Sequence, residues 1–103
     1  MSRDLADRIR SLLEQGVDPS VPMLTEMEHT LTDGYAEALR LEGERLRLER
    51  QIGELAHGVN GQRQADELRN LAQRLRGADE DLSSLRDLLQ LLQRRVEAAR
   101  AAA

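Results

Sequence analysis

The chain contains no cysteine, lysine, tryptophan or phenylalanine, and its single aromatic residue is Tyr35. Without cysteine, disulfide frameworks, Cys-containing zinc sites and thiol catalysis are all excluded. The shortage of aromatic and β-branched residues removes the types that best stabilise a pleated surface, so strands are not expected. No run approaches the roughly 20 apolar residues that cross a bilayer, and Asp4 falls where a signal peptide needs an unbroken apolar core. The expectation is a cytoplasmic protein with no membrane contact. The net charge of −4 and the absence of stacking platforms argue against a nucleic-acid partner, because neutralising phosphates needs a basic face.

Leu, Ala, Arg and Glu make up 57 of the 103 residues, the composition of long helices and coiled coils. At this length one domain, residues 1–103, is expected, since two separate cores would be too small to hold themselves together. Residues 2–15 read as a short amphipathic helix: Leu5, Ile9, Leu12 and Leu13 share a face, Ser2 caps one end and Gly16 follows the other. After the break at Gly16 to Ser20, with Ser20 as a candidate cap and Pro22 just inside the first turn, a second helix is predicted over 21–57. Its apolar positions step by three and four through Leu24, Met27, Leu31, Gly34, Ala38, Leu41, Arg45, Leu48, Ile52 and Leu55. Gly34 and Arg45 are the two weak members.

Residues 58–61, Gly58-Val59-Asn60-Gly61, favour left-handed backbone and predict a turn. A third helix over 62–101 carries a cleaner heptad: Leu68, Leu71, Leu75, Ala78, Leu82, Leu85, Leu89, Leu92, Val96 and Ala99, with fraying expected over Ala101 to Ala103. A turn this short makes its neighbours antiparallel. The predicted fold is therefore all-α, an antiparallel two-helix coiled-coil hairpin with a short N-terminal amphipathic helix. If facing seam residues have numbers summing to 123, each small residue meets a large one, Gly34 facing Leu89 and Arg45 facing Ala78. A register one heptad away sets Ala38 against Ala78 and leaves a gap.

The seam does not use every leucine. Tyr35, Leu39 and Leu46 fall on one flank of the hairpin, Leu88 and Leu91 on the other. One short helix covers only one flank, so these five are the candidate partner interface. The expected partners are a second copy of the chain, in a homodimer or higher helical oligomer, and another protein. Gly43, Gly53 and Gly77 stand at outward helical positions, each at a cost near 1 kcal/mol relative to alanine.

Chemistry-bearing patterns are sparse. Glu26-x-x-His29 with Asp33 a turn later has the spacing of helical di-metal carboxylate sites, but points outward in this register; Glu26 and Glu28 also suit the N-terminal end of a helix dipole. His57 and the cluster Arg94, Arg95 and Arg100 suit C-terminal ends. No nucleophile, base and oxyanion donor assemble, so no catalytic residue and no cofactor is expected. The leading reading is a non-enzymatic, self-associating interaction or scaffold module. The alternatives are a secreted or secretion-associated helical hairpin, or a metal-binding helical oligomer using Glu26, His29 and Asp33. Secreted hairpins of the WXG type carry Trp-x-Gly in the turn, a motif missing here, so that family is not assigned.

Overall fold

The computed structural model describes residues 3–15, 21–58 and 61–102 and contains three helices: α1 (Arg3–Glu14), α2 (Val21–Ala56) and α3 (Gln62–Ala102). The described residues contain no strand. The expected caps Ser2 and Ser20, the expected stop at Gly16 and the turn residues Val59 and Asn60 lie outside the described residues. Pro22 is the second residue of α2, where its missing N–H removes no helical bond. Leu55 O accepts from the Gly58 N–H at 3.1 Å, closing the last turn before the chain reverses. Gly61 opens α3 with φ of 103°, a conformation a side chain would strain, and its carbonyl accepts from Ala65 N–H at 3.2 Å. At the other end α3 continues through Ala102, so Ala101 and Ala102 are helical rather than frayed as expected.

Helices α2 and α3 lie side by side and antiparallel. The cross-helix pairs fix the direction: Glu28 with Arg100, Tyr35 with Gln93, and Glu42 with Arg86, each seven residues further along α2 and seven back along α3. A Cβ built on Gly34 would overlap Leu89 Cδ2 and stand 3.3 Å from its Cγ, so the absent side chain of one helix makes the space the other fills. All twenty of the three-and-four-step positions are buried or half-buried; none is exposed. Their burial follows from periodicity alone, because a stripe repeating every three or four residues keeps one face of a helix toward its neighbour.

The core is divided in two. Toward the chain ends, Met27, Leu31, Ala38 and Leu41 pack with Leu82, Leu85, Leu89, Leu92 and Val96, and α1 adds Leu5, Ile9 and Leu12. Toward the turn, Leu48, Leu71 and Ala78 form a smaller cluster edged by half-buried Ile52, Leu55 and Leu75. Arg45 stands between them. Its Nη1 lies 3.6 Å from Asp79 and its Nε 3.7 Å from Glu49 Oε1, leaving the buried Nε with no hydrogen-bond partner. A buried donor without a partner is destabilising, and a charged side chain at a seam position interrupts apolar packing. Arg45→Leu is therefore expected to raise stability by about 1–2 kcal/mol, read as a higher denaturation midpoint. An unchanged or lower midpoint would show that the ion pairs to Asp79 and Glu49 outweigh the packing.

The molecule is 62 Å long and about 17 by 15 Å across, with a radius of gyration of 18.6 Å against about 13 Å for a compact chain of this length. No helix among the described residues is long and apolar enough to cross a membrane.

Candidate functional site: an exposed apolar face on α2

The position of α1 decides which flank of the α2–α3 pair stays open. Leu5, Ala6, Ile9 and Leu12 turn inward, Ile9 being wholly buried, and α1 packs against both long helices. Polar contacts hold it there at its middle and its C-terminal end. Arg8 Nη2 donates to Thr30 Oγ1 at 3.2 Å, and Thr30, itself fully buried, donates to Glu26 O at 2.8 Å. The same guanidinium pairs with Asp33 at 3.2 Å and Glu26 at 3.8 Å. From α3, Arg95 donates to Leu13 O at 3.1 Å and Gln15 O at 3.0 Å, satisfying carbonyls that the end of α1 leaves without intrahelical donors.

These contacts change several readings made from the sequence. Arg95 and Arg100 serve partners in other helices, α1 and Glu28 respectively, beyond any service to the α3 dipole. Glu26 and Glu28 lie beyond the first turn of α2, which has no acidic residue, and pair with Arg8 and Arg100. Glu26 and Asp33 do face one way, but toward a cation from α1. Among the described residues no three His, Asp or Glu side chains gather closely enough to hold a metal ion. His57 is exposed just past the end of α2.

With α1 seated over Thr30, Leu88 is half-buried against the core. Leu91, on the same flank, stays 48% exposed beside Leu13 in a shallow groove. The opposite flank and outer surface of α2 have no third helix over them. Tyr35 is 47%, Leu39 68% and Leu46 54% exposed. Leu39 and Leu46 are two turns apart on one face, with Tyr35 one turn before Leu39. Tyr35, Ala38, Leu39 and Leu89 line the apolar part of an open groove of about 620 Å³, flanked by Glu42 and Arg86, which pair across it. Gly43, between the two leucines, has nothing within 4 Å of where its Cβ would be.

Charge around this face is balanced rather than of one sign. Arg40 bridges Glu37 at 2.6 Å and Glu44 at 3.4 Å. The hydrogen bond from Arg40 holds the Glu37 carboxyl below its ordinary value of 4.5, and the same bond raises the Arg40 guanidinium. Surface ion pairs of this kind contribute little to stability. The arrangement offers apolar contact area with a polar border. No family model, curated protein or solved structure matches the chain.

Proposed function

We propose that the chain is a non-enzymatic helical protein-interaction module, an antiparallel coiled-coil hairpin latched by α1, that associates with itself through surface the hairpin leaves uncovered. The observation that carries this reading is the exposure of Tyr35, Leu39 and Leu46 together on α2 after α1 has covered the other flank. Singly exposed leucines are ordinary; three large apolar side chains along one helix face favour a partner. Two features support the coiled-coil part. Burial follows the heptad over twenty positions, and the meeting of Gly34 with Leu89 is the one a register summing to 123 requires. Surface area supports the association: the chain exposes 6920 Å², against about 5,800 Å² for a compact monomer of its 11.6 kDa.

A two-fold homodimer is the simplest closed arrangement for such a face. Light scattering across a hundredfold range of concentration is the test. The expected mass rises from 11.6 kDa toward twice that value as concentration increases. A constant 11.6 kDa at every concentration would remove self-association from the reading.

A further inference from the structure

We infer that the second copy docks along the outer face of α2, its own α2 antiparallel to the first about a two-fold axis level with Leu41. This rests on the self-association proposed above and adds the surface and the register. Opposite the seam, α2 carries a second series of positions stepping by three and four: His29, Thr32, Ala36, Leu39, Gly43, Leu46, Arg50 and Gly53. Every one of them is exposed or half-buried. Pairing two such faces so that facing numbers sum to 82 sets Leu39 against the partner's Gly43, Leu46 against the partner's Ala36 and His29 against the partner's Gly53. In these three layers a large side chain meets a small residue, as close helix packing demands, while the fourth sets Arg50 against the partner's Thr32. Shifting one heptad in one direction sets Ala36 against the partner's Gly53, a void; in the other it confronts Leu46 with the partner's His29, a crowded layer.

The proposed pairing also gives Gly43 and Gly53 a use. Both weaken an isolated helix, and beyond the adjoining backbone of α2 nothing stands within 4 Å of a Cβ built on either, so the space beside them is free for another helix.

Charge favours a second copy over a partner of strong opposite charge. Between Tyr35 and Arg50 the helix carries four glutamates and four arginines, a neutral stretch in a chain whose net charge is −4. Two copies can therefore approach here without the repulsion their total charges imply. On one flank the same register brings Tyr35 nearest the partner's Glu49 and each Glu42 nearest its own copy, with Glu42 already paired to Arg86. On the other, Arg40 meets the partner's Arg47, but Arg40 is already bridged by Glu37 and Glu44. α1 reaches α2 at Glu26, Thr30 and Asp33; Asp33 shares the flank of Arg40, so α1 borders this face at its N-terminal end and leaves Leu39 and Leu46 open.

Sedimentation equilibrium on the full chain and three variants tests the inference. Leu39→Glu places a charge on a residue that is already 68% exposed in the subunit, so the fold is untouched while dimerisation weakens at least tenfold. Gly43→Leu fills open space and improves helix propensity. It is expected to raise the thermal midpoint of the dilute subunit while also weakening the dimer at least tenfold. Leu91→Glu, at the 48% exposed leucine by α1, is expected to leave the dimer intact. If the wild type dimerises but Leu39→Glu and Gly43→Leu do so equally well, or Leu91→Glu alone abolishes it, this interface is wrong and self-association stands. A wild type monomeric at all concentrations overturns both and leaves the face to a different protein.

Discussion

Leu92→Ala is expected to remove about 3 kcal/mol of stability, a large share of the 5–15 kcal/mol typical of a single domain, whereas Leu91→Ala one residue earlier is expected to cost no more than about 0.5 kcal/mol. The two side chains are chemically identical and adjacent on α3. Leu92 is completely buried in the cluster that joins all three helices, and Leu91 is 48% exposed. Truncating Leu92 loses both the transfer free energy of its methyl groups and the contacts around the resulting cavity, which a tightly packed helix pair closes only in part. Urea denaturation followed by circular dichroism at 222 nm measures both. Equal losses at the two positions would mean that α3 is rotated about its axis from the orientation described, with a different stripe facing α2.

The contrast between these neighbours also shows what the sequence makes legible. A three-and-four repeat sustained over ten positions per helix determines which face is covered, because any other rotation would expose a continuous row of leucines. The all-helical class and the three helices are legible for that reason. The placement of α1 is not. Its interior contacts could serve either flank, and the choice is made by Arg8 reaching Thr30 and Asp33, and by Arg95 reaching the carbonyls of Leu13 and Gln15. These partners are 22 to 82 residues apart in sequence, so no local spacing announces them. The same distance explains why Glu26, Glu28, Arg95 and Arg100 read from sequence as servants of helix dipoles: a charge near a helix end has a local role by default, and only tertiary structure shows a distant partner.

The candidate face was visible only in part. Periodicity identifies Tyr35, Leu39, Leu46, Leu88 and Leu91 as surplus to the seam, but cannot say that α1 settles against Leu88's side and leaves α2's outer face open. Gly43 and Gly53 were equally hard to interpret. An outward glycine on a helix is simply a weak point until the structure shows that nothing from its own chain approaches it.

Gly34 is the opposite case, and Gly34→Leu is expected to be among the most damaging single changes, costing about 3 kcal/mol or more. A Cβ at residue 34 already overlaps the end of Leu89, which is 2% exposed. A longer side chain must push α2 and α3 apart locally, loosening the cluster that Leu31, Ala38, Leu85, Leu89 and Leu92 share. Gly77→Ala supplies the comparison: with nothing within 4 Å of its Cβ, it is expected to stabilise by up to about 1 kcal/mol through helix propensity alone. Opposite signs at two glycines in two helices would separate packing from propensity. The decisive measurement is the cycle with Leu89→Ala. If residues 34 and 89 face each other, Leu89→Ala should relieve much of the strain of Gly34→Leu, with a coupling of about 1–3 kcal/mol. Strict additivity would mean that the two residues are not neighbours, and that the helices are paired in another register.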